Sequence, residues 1–441
     1  MNKFIKKKNI TYIIFSLIIF SFFQGFYYDE NSAGAGGYIG DITWILNNIE
    51  IFKNNNLQNA ILNNDFYGNR TPLVYIINNI LNPFFYEYEK YRITVFLFSL
   101  TGPIFIYLCL KNRYPETNKE LIVLLSSVIL LSPYYRTSAY WALNENYGLI
   151  TSLISLLFLN LYIENIKIIK KRNFFLFLTI FFSSLSVYFD LKLIIVTMIC
   201  FFYLINSKIE IKLKSYTFLI YLVLGLPYLF LILEWNGIVP PKTQADNINT
   251  VTNLSRLRDL HIYHLGYAST IIGFYIFPFL FLKKKNFFKL IYDFFLTKWN
   301  ILILIVPLLY ILYIYLNIEF KSYTVDNYWI GLGVVNKIAD ILFNDIDKKE
   351  IFTYLMFFLS WIVICLYIDN LIDFIILSFF FIISLFLWPL MQEYFDPIII
   401  ILSLMIFKTK IKLGYYNVFF VFFYFAIFLT VANIYYSNLT H

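Results

Sequence analysis

Thirteen apolar runs, none with a charge at its centre, divide this chain: 9–26, 93–110, 120–133, 148–163, 173–189, 191–206, 216–234, 266–282, 300–317, 350–368, 371–389, 397–408 and 414–434. In hydrocarbon only a helix or a closed barrel satisfies its own backbone, and runs of this length and composition are read as helices. The polar stretches between them alternate in character. One set is short and basic, as in Lys111 to Lys119, Lys167 to Arg172, Lys208 to Lys214, Lys283 to Lys289 and Lys408 to Lys412. The other set is longer: 27–92, 134–147, 235–265, 318–349 and 390–396. With the N-terminus inside, 21 of the 35 Lys and Arg fall in inward segments, the pattern that orients membrane proteins. The inward turn at Asp369-Asn370 is the exception and carries neither. The pattern predicts an all-α polytopic membrane protein, 1–441 forming a single integral domain, its N-terminus cytoplasmic and its long loops facing outward. A bacterial inner membrane is the expected setting.

The first outward loop has a pattern of its own. Asn31 to Gly40 is rich in Gly and Ala and reads as a turn. Asp41 then stands at an N-cap position before Ile42, Ile45, Leu46, Ile49 and Phe52, a spacing that makes one apolar helix face. Asn47, Asn48 and Glu50 fall on its other faces, so this helix is expected to lie in the membrane interface. A second short helix is expected after Pro72, from Leu73 to Leu81.

Composition changes the picture in one respect. Hydrophobic residues are 60% and charged residues 14% of the 441, where a soluble domain is about a quarter charged. The net charge of +8 follows from the inward lysines, so it reports topology and an anionic membrane surface, and no nucleic-acid partner is expected. Cys109, Cys200 and Cys365 lie in apolar runs at no metal-like spacing and read as small core residues. The first apolar run lacks a small-residue cleavage site before Tyr27-Tyr28-Asp29 and reads as a retained anchor.

Chemistry is therefore sought in the outward loops. Asp29-Glu30 lies at the outer mouth of the first run, where a carboxylate meets both water and lipid headgroups. Transfer of a group to a hydroxyl needs a base within hydrogen-bond reach of that proton. A departing lipid phosphate needs cations, and the outward candidates include Arg70, Arg136, Lys192, Arg256, Arg258, His261, His264 and Lys321. Arg136 stands in Ser132-Pro133-Tyr134-Tyr135-Arg136-Thr137-Ser138, and Tyr135 beside it offers a surface for a sugar or prenyl chain. The competing reading of Arg136 is an arginine that snorkels from a helix end. His261 and His264 share a helix face, but two histidines without a third ligand more often form a solvated polar face. Asp41 and Glu145 are second-rank contacts for sugar or acceptor.

Together Asp29-Glu30, Arg70-Thr71-Pro72-Leu73, Tyr135 to Asn146 and Glu393-Tyr394-Phe395-Asp396-Pro397 resemble the motifs of the GT-C membrane glycosyltransferases, such as the protein mannosyltransferase, aminoarabinose transferase and dolichyl-phosphate-glucose glucosyltransferase families. Pro240-Pro241-Lys242 resembles a segment of the same enzymes. The resemblance implies a GT-C-like bundle with two interfacial helices in the first loop, and inverting transfer of a monosaccharide from a polyprenyl-phosphate donor to a glycan or lipid-linked acceptor. It implies Asp29 (with Glu30) as base, Arg136, Arg256, Arg258 and Arg70 at the donor phosphate, and Asp41, Tyr135, Glu145, His261, His264, Glu393 and Tyr394 around the substrates. No cofactor is expected, and a divalent metal is left open. The chain departs from the family in carrying Arg70-Thr71-Pro72-Leu73 where members often have His-Pro-Pro-Leu.

Two other classes compete. An O-antigen polymerase or ligase usually places its essential arginines in a large loop of the C-terminal half, whereas the longest outward loop here is the first. A flippase or transporter favours ionised span centres and repeated halves, and neither is evident here. Inward loops this short hold no nucleotide-binding fold, and no glycine-rich phosphate loop or hydrolase motif is present.

Overall fold

The computed structural model describes residues 2–33, 41–68, 70–207, 210–246, 260–283, 287–318, 320, 331–387, 390–409 and 411–439. Among these the chain is helical, and the single β-bridge joins Lys283 to Ile411. Seven helices are long and apolar enough to cross a membrane: Lys8–Tyr27, Tyr88–Arg113, Glu145–Glu164, Ile169–Phe189, Ile211–Trp235, Ile346–Tyr367 and Tyr415–Ser437. The protein is a multi-pass helical membrane protein.

Not all of the thirteen expected spans meet that criterion among the described residues. The apolar run at 120–133 breaks at Ser132-Pro133, because proline cannot continue a helix that already runs into it. Its two halves, Lys119–Leu131 and Pro133–Tyr140, meet at 69°. The runs at 191–206, 266–282 and 371–389 form apolar helices of 10–17 residues, below the roughly 20 residues a straight crossing takes, whereas the run at 300–317 belongs to a helix of 20 residues, Lys298–Asn317. The run at 397–408 yields only the Ile398–Met405 helix.

The chain gathers into two compact units. The first comprises residues 1–256 with 404–406 and 425–441. Its longer helices up to Trp235, in chain order, are α1 (Asn2–Tyr27), α2 (Asp41–Asn54), α3 (Leu73–Leu81), α4 (Tyr88–Ser99), α5 (Gly102–Arg113), α6 (Lys119–Ser126), α7 (Pro133–Tyr140), α8 (Glu145–Glu164), α9 (Ile169–Phe189), α10 (Ile194–Asn206) and α11 (Ile211–Trp235). α8 is central, with 67% of its apolar window buried, whereas α11 has 11% buried and presents its side chains outward. Where lipid surrounds a bundle, burying apolar surface gives little drive, so close packing of small residues matters more. α8 and α9 pack tightly: Gly148 lies against Leu193 and Phe189, and Ser152, Ser155, Thr179, Ser183 and Ser186 are all buried.

In the first loop both α2 and α3 form where the sequence pattern places them. The buried face of α2 differs from the one expected. It comprises Ile45, Asn48, Ile49, Ile51 and Phe52, while Leu46 is exposed. Asn48 turns inward because it pairs with the loop below: Nδ2 donates to Tyr67 O (2.6 Å) and Tyr75 Oη (3.1 Å), and Oδ1 accepts from Tyr67 N (3.0 Å).

The second unit comprises 257–403 and 407–424. Here the His264–Leu280 and Ile346–Tyr367 helices approach closely at Gly266, against Phe357, and at Gly273, against Ser360. The lysine-free turn at Asp369-Asn370 takes its cation from elsewhere in the unit. Lys283 Nζ donates to Leu366 O (2.8 Å), Tyr367 O (3.1 Å) and Asp369 Oδ1 (2.6 Å), placing a positive charge at a helix C-terminus. Asp373, fully buried, accepts from Lys408 N, Thr409 N, Thr409 Oγ1 and Asn370 Nδ2 at 2.9–3.0 Å. Asp373→Ala leaves the two backbone N–H groups without that acceptor and is expected to cost about 3 kcal/mol. Limited proteolysis near 408–414 in detergent checks this: cleavage no faster than in the wild type counts against it.

Candidate active site

The ionic clusters described first lie in the first unit. α1 ends at Tyr27, and Asp29 follows in a left-handed conformation (φ +53°), a state Asp adopts more readily than most residues. The turn puts its carboxylate on Arg92, which contacts Asp29 Oδ1, donates to Tyr140 O, and reaches Phe26 O at 3.4 Å. The Arg92 guanidinium is sandwiched by Phe26 (4.9 Å) and Trp141 (4.8 Å). Arg92 is buried, while the Asp29 side chain is 55% exposed.

Glu30 faces the other way. Arg136 holds it with two bonds, Nε to Oε1 (2.8 Å) and Nη2 to Oε2 (2.7 Å). The same guanidinium donates to Leu130 O (3.1 Å) and Ser21 O (2.8 Å) and lies over Phe22 and Tyr140. Arg136 is 1% exposed and Glu30 13%. Both arginines thus sit against carbonyls of the last turns of α1, where the helix dipole favours cations. The acidic pair has divided its roles: Glu30 is enclosed, Asp29 reaches water.

Gly25 makes this possible. A Cβ there would stand 2.6 Å from both Glu30 Oε2 and Tyr140 Oη, and 2.7 Å from Arg136 Nη2. Alanine is the better helix former by about 1 kcal/mol, yet Gly25→Ala is expected to destabilise by about 1–3 kcal/mol because it pushes into the ion pair. A melting temperature in detergent equal to or above the wild type's would refute this.

A second ionic cluster is built from the same tract of chain. Arg70 contacts Glu145 Oε1; Lys192 Nζ lies 3.2 Å from Asp190 Oδ2, touches the Tyr134 hydroxyl and sits 4.1 Å from its ring centre. Thr71 Oγ1 donates to Tyr188 O (2.6 Å), anchoring the Arg70 loop to the end of α9. Burial alone would lower the Arg70 guanidinium's pKa, but Glu145, Asp190 and Asp41 together hold it above its usual value. Burial raises the Asp190 carboxyl above the usual carboxylate range; Lys192 opposes the rise and Glu145 adds to it. Residues 134–145 therefore supply both clusters: Tyr134 and Glu145 to the second, Arg136 and Trp141 to the first. Between Trp141 and Glu145 the chain turns through Ala142 at φ +53°, a conformation that costs a residue with a Cβ about 1–2 kcal/mol.

The remaining candidate residues are placed as follows. Asp41 is in the first turn of α2 and acts on Arg70 electrostatically. Tyr135 is fully buried and gives its hydroxyl to Ser99 O. Arg256 and Arg258 lie outside the described residues. His261, His264, Glu393 and Tyr394 belong to the second unit. There the histidine rings are 4.9 Å apart, and His264 is buried with Nδ1 at 3.1 Å from Ser384 O. Glu393 and Tyr394 form a half-buried 3-10 turn before the cis Asp396-Pro397 bond. Among the described residues no group of three His, Cys, Asp or Glu is disposed to hold a metal ion.

Sequence reasoning missed Arg92 and Asp190 as partners and passed over Gly25. Arg92 stands one residue before an apolar run, a position that reads as a solvated loop end, and a glycine within an apolar run has no distinguishing local signal. Comparison with protein-family models, with curated proteins and with solved structures finds no match to this chain.

Proposed function

We propose that the chain is an inverting membrane glycosyltransferase that moves a monosaccharide from a polyprenyl-phosphate donor to a glycan or lipid-linked acceptor on the outer side of the membrane. The observation that carries this reading is the exposed Asp29 carboxylate, fixed at the end of α1 by a buried arginine. Arg92 engages Oδ1, and Oδ2 accepts no hydrogen bond from the described residues, so that oxygen is available to an incoming hydroxyl. In the reaction the acceptor oxygen attacks C1 of the donor sugar from the face opposite the phosphate. The C1–O bond breaks, polyprenyl phosphate leaves with the electron pair, and the hydroxyl proton passes to Asp29. Inversion at C1 follows from that geometry.

The phosphate requires cations. Arg136 and Arg70 are each paired with a glutamate, but the Arg70 side chain is 16% exposed against 1% for Arg136, so the role is assigned to Arg70. α2 and α3 fit the interfacial helices of such an enzyme and lie beside the Arg70 loop. A bacterial inner membrane with the loops facing the periplasm completes the reading.

The test is donor consumption by the purified protein in nanodiscs, supplied in turn with polyprenyl-phosphate monosaccharides and with a polyprenyl-pyrophosphate oligosaccharide. Release of polyprenyl phosphate from a monosaccharide donor supports the proposal. Turnover of the pyrophosphate oligosaccharide alone replaces it with a polymerase or ligase. Movement of either lipid across the bilayer without bond cleavage replaces it with a flippase.

A further inference from the structure

Between α2 and the loop that follows it lies an open groove of about 510 Å³, within the range of small-molecule sites. We propose that it is a binding subsite for a neutral or amino-bearing carbohydrate, and, resting on the transferase reading, that this carbohydrate is the acceptor glycan. Trp44, Asn47, Glu50, Asn54, Asp65 and Tyr67 line it. That set matches the two sides of a pyranose ring: aromatic faces pack against its C–H face, while carboxamides and carboxylates accept from and donate to its hydroxyls.

Three features point to a site rather than to an ordinary wet helix face. The first is rigidity. The Trp44 ring lies tilted against that of Tyr67 with centroids 4.2 Å apart, and Tyr67 is clamped through its own N–H and carbonyl by the buried Asn48 side chain, so the floor is fixed before any ligand arrives. The second is register. Asn47, Glu50 and Asn54 fall at i, i+3 and i+7 on α2, one face of the helix, and the exposed Glu50 carboxylate and Asn54 carboxamide have no hydrogen-bond or ion-pair partner among the described residues. A solvated face stabilised for its own sake would pair charges at that spacing.

The third is charge. Glu50 and Asp65 outnumber Lys242, so the groove is net negative and disfavours a phosphate or a uronic acid. It is therefore a poor donor site, and complementary to hydroxyls or amines. Its position suits an acceptor. Asp41, in the first turn of α2, acts on Arg70, while the groove occupies the remainder of the same helix, which is about 20 Å long at 1.5 Å per residue. A glycan lying along α2 points toward the Arg70–Glu145 cluster.

The experiment measures binding, separately from transfer, by calorimetry on the nanodisc protein with four tetrasaccharides: cellotetraose, tetra-N-acetylchitotetraose, its deacetylated tetra-amine, and tetragalacturonate. The proposal expects saturable binding of at least one of the first three and none of tetragalacturonate. Trp44→Ala and Asn54→Ala, the second at an exposed residue where the fold is spared, are each expected to weaken binding about tenfold. The proposal is overturned if tetragalacturonate binds as well as the others, if none of the four binds, or if both variants, shown folded by their melting curves, bind like the wild type. Sugar binding without donor turnover leaves the groove standing and removes the transferase; donor turnover with no sugar binding removes the groove alone.

Discussion

Asn in place of Asp29 is expected to leave the protein folded and inserted while sugar transfer falls by about 10²–10⁴-fold. The substitution isolates charge from shape. Asn tolerates the left-handed backbone as Asp does, so the turn at φ +53° persists. Arg92 keeps its bonds to Tyr140 O and Phe26 O and its contacts with the Phe26 and Trp141 rings, and the Glu89 carboxylate, 3.7 Å from Nη1, remains as its countercharge. Because the Asp29 side chain is more than half exposed, its ion pair contributes little to stability, and the melting temperature should move by no more than a degree or two. What disappears is the proposed proton acceptor. Transfer rates on nanodisc protein, read beside the melting curves, decide the matter: a variant with wild-type turnover shows that Asp29 is not the base.

The neighbouring carboxylate is expected to behave in the opposite way. Glu30→Gln removes the countercharge from an arginine that is 1% exposed, and breaking a buried pair from one side costs about 3–5 kcal/mol. Arg136 retains carbonyl acceptors at Leu130 and Ser21 and two aromatic faces, but none neutralises it. The expected result is a large drop in melting temperature and in membrane yield. Exchanging both partners for apolar residues, Glu30→Leu with Arg136→Met, should recover much of the loss, since it leaves no uncompensated charge. If Glu30→Gln melts like the wild type, the pair does not hold α1 to α7. The two adjacent acids thus separate experimentally, one acting on rate and one on stability.

Much of the architecture is legible along the chain. Apolar periodicity locates the long helices, and the α3 boundaries fall where Pro72 starts them. The Asp29-Glu30 pair is recognisable because it stands at the mouth of an apolar run. What sequence order hides is distance. Asp29 meets Arg92, and Glu30 meets Arg136, across 63 and 106 residues, and no local period reports such a pairing. Asn48 is misplaced by the periodic reading for the same reason: a polar residue is assigned to water unless its buried partner, here the Tyr67 backbone, is known. The span count is met only in part, and length is where it stops. Hydropathy alone does not separate a crossing helix from an apolar helix of 10–17 residues, although Pro133 within its run is a visible sign of the break. Gly25 becomes meaningful only when Arg136 is seen packed against it.

The central claim is that this chain adds a sugar to a glycan through Asp29. The most direct measurement compares the surface and lipid-linked glycans of a source strain lacking the gene with the same strain complemented by wild type or by Asp29→Asn at equal membrane levels. The account predicts that deletion removes one sugar from one glycan, that wild type restores it, and that Asp29→Asn does not. Full restoration by Asp29→Asn, or a deletion strain whose glycans are unchanged, would contradict it.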